Sequence, residues 1–281
     1  MPARPNPRPA DPVPALTARP RSLPRILSLG LSLATTPAFA AHPLQTEDTG
    51  TQGAANVEIE NGLSQERFGS RTVTVYQPQL SVGLSASIDA IVQPSVAWLH
   101  APGRPMVSGA GDTNLDAKWR FWGRDRWSMA VRGGLSAPTA QDGLGLSDSG
   151  SSEHALLVAT WHDAPTTVHA NVGLTHGPRA PGTRTSVAGL SAALMQAVGD
   201  RLVVAVDTGL QQDADASRRT WAGSLLGGVI WTARPGLDLD VGCQRSVNTA
   251  AVDRRWLAGL TYRFSLRAPA QRSTVAMRSG E

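Results

Sequence analysis

The chain has 281 residues, with 26 Lys+Arg against 22 Asp+Glu, one cysteine, and only 17% charged and 5% aromatic residues. That charged fraction is well below the roughly 25% of a typical soluble domain, which argues against an ordinary cytosolic enzyme. The net charge of +4 resides in residues 1–40, where Arg4, Arg8, Arg19, Arg21 and Arg25 face Asp11; from Ala41 onward 21 positive and 21 negative residues remain. A basic nucleic-acid-binding face is thereby excluded, and Cys243, standing alone, forms no internal disulfide.

Residues 1–40 read as a secretory signal. An Arg- and Pro-rich stretch leads into Ile26-Leu27-Ser28-Leu29-Gly30-Leu31-Ser32-Leu33, and Ala38-Phe39-Ala40 supplies the small-residue cleavage site. The apolar core is about half the roughly 20 residues of a membrane-spanning helix. Cleavage after Ala40 leaves a mature chain starting at Ala41. Residues 41–54 follow as a periplasmic N-terminal segment.

From there on the recurrent signal is period-two alternation over about ten residues, the mark of a β-strand with two unlike faces. Residues 113–122 show it best, as Asn114-Leu115-Asp116-Ala117-Lys118-Trp119-Arg120-Phe121. Residues 167–176, 237–245 and 256–264 repeat it. Taken in chain order, the pattern predicts strands at 55–66, 71–84, 90–99, 113–122, 127–137, 154–162, 167–176, 185–197, 202–211, 220–231, 237–245 and 256–264. The fold class is therefore all-β: an antiparallel transmembrane β-barrel of about twelve strands over residues 55–264, with ten or fourteen left open.

Three features favour an outer-membrane barrel over a soluble one. The polar face carries Glu58, Glu60, Asp116, Lys118, Arg120, Arg132, Asp207, Asp238, Asp240 and Arg263, which suits a lumen better than a lipid-facing wall. Short links at 86–89, 123–126, 163–166, 199–201 and 232–236 interleave with longer Gly-, Ser- and Asp-rich loops near 100–110, 138–153, 177–184, 211–219 and 246–255, as periplasmic turns and extracellular loops do. Trp98, Trp221 and Trp256 fall at the long-loop ends of their strands, and Trp122, Trp127, Trp161 and Trp231 at the short-turn ends. Two such belts are the aromatic girdles of a bilayer-spanning barrel, and Tyr262 and Phe264 extend the second. Residues 265–281 have no periodic apolar face and read as a disordered periplasmic tail.

Several motifs carry a family resemblance. His42-Pro43-Leu44-Gln45-Thr46-Glu47-Asp48-Thr49-Gly50-Thr51-Gln52-Gly53, ahead of Val57-Glu58-Ile59-Glu60, resembles the opening of the outer-membrane transporters grouped with the MetA pathway of phenol degradation. Gly109-Ala110-Gly111-Asp112 with Lys118-Trp119-Arg120-Phe121, Leu135-Ser136-Ala137-Pro138-Thr139, and Leu257 to Phe264 are similar to later motifs of that family; Ala140 replaces a glycine of its pattern. Trp256 to Phe264 also resembles the closing strand read by the barrel-insertion machinery, although Phe264 is followed by the tail. The resemblance implies passage of small, aromatic or hydrophobic compounds across the bacterial outer membrane.

The expected function is that of a passive transporter or narrow pore for small solutes, with membrane lipid, the insertion machinery and a small-molecule solute as partners. The alternative is a structural or sensory barrel whose loops bind partners. The inward charges fit either a solute filter or paired buried ions that close the interior. No enzyme is expected, and no catalytic residues are assigned. Gly-x-Ser-x-Gly is absent from the sequence, and His154, His162, His169 and His176 lack the spacing of a metal site. Neither metal nor other cofactor is expected.

Overall fold

In the computed structural model, residues 42–140, 150–177, 182–248 and 253–266 are described. The strands are β1 Asn56–Phe68, β2 Arg71–Gly83, β3 Ile88–Gln93, β4 Val96–His100, β5 Val107–Ala110, β6 Thr113–Arg124, β7 Trp127–Ala137, β8 Ser152–Asp163, β9 Thr166–His176, β10 Ser186–Val198, β11 Leu202–Gln212, β12 Trp221–Arg234, β13 Leu237–Ser246 and β14 Arg254–Ser265. Every pairing is antiparallel, and β1 pairs with both β2 and β14, so that Val57 faces Val82 on one side and Phe264 on the other. The sheet closes on itself and leaves no unpaired edge for lipid to satisfy.

Fourteen segments build a wall of twelve strands. β3 and β4 are two halves of one wall strand: both pair with β2, at Leu80↔Val92 and Tyr76↔Val96, and the break falls at Pro94, which has no N–H to give to a ladder. β5 and β6 form the next, interrupted at Gly111 and Asp112. β5 extends this strand beyond the predicted start at 113 into what reads as loop, because Val107–Ala110 finds the ladder of β4 through Leu99↔Val107 and Val96↔Ala110. A Gly-containing stretch of four residues has too little periodicity to announce itself.

The alternation sorts as a membrane barrel requires. Leu115, Leu135, Leu157, Val172, Leu174, Leu194, Val206 and Val241 stand 42–63% exposed on the outer surface. Their strand neighbours Asp116, His154, Leu156, Asn171, Ala193, Ala205, Asp207 and Asp240 are buried inside. Short turns gather on one rim, Asp125–Arg126 and Ala164–Pro165 among them, and longer connections on the other, except that the first link there is only Gly69–Ser70. The signal at 1–40 and the tail from 267 lie outside the described residues.

The N-terminal segment departs from expectation. Residues 42–54 do not hang below the barrel on the periplasmic side; they run inside it, with Leu44, Thr46, Glu47 and Thr49 all at most 5% exposed. The reason lies in the wall, which carries an acceptor or donor for the segment at almost every step. We call this segment the strap.

Candidate functional site: the barrel lumen

The strap enters at the short-turn rim and winds around the inner wall to the middle of the lumen. At its C-terminal end the Gln52 N–H donates to both carboxylate oxygens of Asp89 at 3.1 and 3.0 Å, while Gln52 Nε2 donates to Glu58 at 2.7 Å. Thr49 donates its N–H to Thr160 Oγ1 at 3.2 Å and shares a 2.5 Å hydrogen bond with Ser128. The Asn171 amide, oriented to suit its neighbours, accepts from the Glu47 N–H at 2.6 Å and donates to the Glu47 carbonyl at 3.0 Å. Asp207 accepts from the Gln45 and Thr46 N–H groups at 2.6 and 2.8 Å and from the Thr46 hydroxyl at 2.9 Å. His42 ends the path, its N–H on Glu60 at 3.4 Å and Nδ1 3.1 Å from Asp240.

This pattern has a physical reason. Irregular backbone at membrane depth is tolerated only where protein satisfies its polar groups, and inward carboxylates and amides provide that here. Close approach is secured by small residues in the wall. A Cβ on Gly62 would sit 2.2 Å from His42 Nε2, and one on Gly83 would sit 1.8 Å from the Gly53 carbonyl oxygen.

At mid-strap, Glu47 completes the most heavily charged part of the lumen. One of its oxygens accepts from Lys118 Nζ at 2.7 Å and the other from Arg132 Nη1 at 2.6 Å. Asp48 takes a second bond from Lys118 at 3.1 Å. Arg132, fully buried, also reaches Asp116 at 2.7 Å and Gln79 Oε1 at 3.1 Å, and Asp116 in turn bonds His154 Nε2 at 2.7 Å. Two strap carboxylates and Asp116 thus surround two wall cations. Nearer the short-turn rim Arg263 bridges Glu58 and Asp238, each at 2.5 Å.

Of the residues singled out from sequence, Glu58, Glu60, Asp116, Lys118, Arg132, Asp207 and Asp240 are therefore buried in the lumen, and Asp238 and Arg263 lie at its mouth. Arg120 is not among them: it shares the inward phase but sits exposed at the rim, where Nη2 donates to the Ala86 carbonyl at 3.1 Å beside a bulge between Arg120 and Trp122. The aromatic residues lie on the outer face. Trp98, Trp221 and Trp256 stand towards the long-loop rim, and Trp122, Trp127, Trp161, Trp231, Tyr262 and Phe264 towards the other; Trp127 pairs directly with Trp161, and the rings of Tyr262 and Phe264 stack at 5.6 Å. The four clustered histidines disperse: His154 bonds Asp116, His162 bonds Thr167, His169 bonds Thr160 and His176 bonds Ser186. Among the described residues no three His, Cys, Asp or Glu side chains group as a metal site.

What sequence missed is the strap as part of the site. Glu47, Thr46, Thr49 and His42 carry no strand periodicity, and a run of polar and glycine residues ahead of a first strand looks like a linker. Two hints were available: an excess of inward acids over inward bases, and the family motif carried by His42 to Gly53 itself.

A closed antiparallel barrel with an apolar outer face and a polar lumen is the architecture of a bacterial outer-membrane β-barrel protein. The chain belongs to the family described as "Putative MetA-pathway of phenol degradation", whose model matches residues 41–264. In fold it is similar to the COG4313 outer membrane channel from Pseudomonas putida F1, with a TM-score of 0.61 and 13% identity over 81% of this chain and 98% of that one. It is also similar to the KdgM porin, with a TM-score of 0.54 and 9% identity over 74% and 99% of the two chains. No curated protein sequence matches it.

Proposed function

We propose that the protein is a passive outer-membrane channel for small solutes, narrowed by its own strap. The observation that carries this reading is the polar lining of a closed lumen in which the strap is tied by hydrogen bonds and ion pairs rather than by an apolar core. Eight strands leave a barrel interior that side chains fill, and sixteen to eighteen leave a wide aqueous channel; twelve strands with a strap inside fit a narrow path. Glu47, Lys118, Arg132 and Asp116 form its charged constriction, and the two aromatic belts mark the bilayer edges. Removal of residues 1–40 belongs to the same reading, because cleavage after Ala40 leaves a single residue ahead of His42 inside the lumen. Aromatic solutes, which the family description brings forward, are one class to test.

A second reading, a non-transporting barrel held shut, is favoured by the reach of the strap, which bonds to wall residues from Asp89 on β3 to Asp240 on β13. Planar-bilayer recording separates the two. A channel gives a steady single-channel conductance from the intact protein, and removing residues 42–50 enlarges it severalfold; a silent wild type that conducts once the strap is removed establishes the sealed barrel.

A further inference from the structure

Above His42, on the long-loop side of the strap, the lumen holds a cavity of about 50 Å³ with mixed polar and apolar walls, its polar border formed by Gln45, Ser64, Glu66, Gln77, Arg255 and His42 itself. One water needs roughly 10–15 Å³ by the same measure, so the space takes a few waters or one small solute. Four buried polar atoms at and beside it have no protein partner: the donors Gln45 Nε2 and Arg255 Nε, and the acceptors Glu66 Oε2 and Gln244 Oε1. Glu66, Arg255 and Gln244 are 3%, 8% and 7% exposed and lie in one row across β1, β14 and β13, through Glu66↔Arg255 and Gln244↔Arg255. Arg255 Nη2 bonds Glu66 Oε1, which fixes both side chains and leaves the second oxygen of one and the Nε–H of the other uncommitted.

Buried polar atoms are almost always satisfied, and three orphans on residues that line one cavity, those of Gln45, Glu66 and Arg255, define a complement. We propose that this cavity is a binding subsite for a small neutral polyhydroxyl solute, an inference that rests on the channel reading above and names a cargo class for it. A hydroxyl both donates and accepts, so a vicinal polyol satisfies the Gln45 and Arg255 donors and the Glu66 acceptor with one molecule. An anion satisfies only the donors and faces Glu66 and Glu60; a cation satisfies only the acceptor and faces Arg255. No Phe, Tyr or Trp lines the cavity, where Leu44, Val75 and Leu257 supply the apolar surface, so a phenolic ring finds no stacking partner. The subsite is on the side from which solute arrives, and the strap is its floor.

The test uses the intact mature protein in planar bilayers in KCl, with erythritol as probe and glycine betaine at equal osmolality as control. The expected result is a saturable decrease of ion current by erythritol, absent with betaine, whose midpoint rises at least tenfold in Gln45→Leu and in Gln77→Leu, each shown to be folded by its heat-modifiable mobility. Normal conductance with no saturable effect of erythritol, or with water alone in the cavity of a structure solved in erythritol, overturns the subsite and leaves the channel standing. An equal or stronger effect of phenol or benzoate overturns the solute class. A barrel that passes no current overturns the channel reading itself; calorimetric titration of erythritol into the detergent-solubilised protein then decides the subsite, and absence of heat overturns that as well.

Discussion

Arg132 Nη1 on β7 lies 2.6 Å from Glu47 Oε2 on the strap, a contact between residues 85 positions apart whose side chains are only 1% and 7% exposed. It ties the irregular N-terminal segment to the wall at the most densely charged level of the lumen. Removing one partner of such a buried pair is far costlier than the net worth of the pair, because the other charge stays behind uncompensated. Arg132→Met takes the shared cation from Glu47, which keeps Lys118, and from Asp116, which keeps His154. It is expected to lower the stability of the barrel by about 3–5 kcal/mol, read as a lower temperature for the heat-modifiable band shift, and to change single-channel conductance. An unchanged transition temperature would show that the network is not structural.

Asp207 accepts three hydrogen bonds from Gln45 and Thr46. Asp207→Leu keeps the approximate size but removes the acceptors from the strap N–H groups, at a cost of about 1–3 kcal/mol for each group left unsatisfied. The strap is expected to loosen while the wall, whose ladders are untouched, stays closed. Protease added to the purified protein then cuts within residues 42–50 faster than in the wild type, with the barrel fragment intact; equal cutting rates would count against the role of Asp207.

Gly62→Ala places a methyl group 2.2 Å from His42 Nε2, a distance that forces the ring to move. The expected consequence is loss of the His42–Asp240 contact and larger conductance fluctuations. Gly227→Ala is the control, since nothing lies within 4 Å of a Cβ there, and it should leave recordings unaltered. Identical traces from both variants would refute a close-packed strap.

Phe264 stacks on Tyr262 and faces Val57 across the seam that closes the barrel. If the closing strand is what the insertion machinery reads, Phe264→Ser reduces the heat-modifiable fraction recovered in outer membranes severalfold, while Phe121→Ser, on another strand, does not. Equal recovery of the two would remove Phe264 from that role.

The wall was readable because its signal is local. Leu115, Asp116, Ala117 and Lys118 alternate within one strand, and the same period recurs at Leu237 to Gln244, so the faces follow from neighbours two positions apart. The breaks at Pro94 and at Gly111–Asp112 blurred two wall strands without hiding them. Arg120 misled for a related reason: periodicity assigns a face, but height along the barrel axis decides whether that face is enclosed, and Arg120, near the short-turn end of β6, is exposed and bonds the Ala86 carbonyl.

Sequence by itself determined the barrel, its approximate strand number, the outward aromatic belts and the inward charges, because each follows from spacing along a strand and from turn length. Tertiary structure alone decided what the inward charges do. His42 and Asp240 are 198 positions apart, Gln45 and Asp207 162, and Glu47 and Lys118 71; no periodicity links residues at those separations. Only closure of the sheet brings them around one lumen, where a polar segment that would be solvated outside becomes buried and takes the wall carboxylates as its hydrogen-bond partners. Closure also leaves Gln45, Glu66 and Arg255 gathered, with polar atoms unspent, at one cavity.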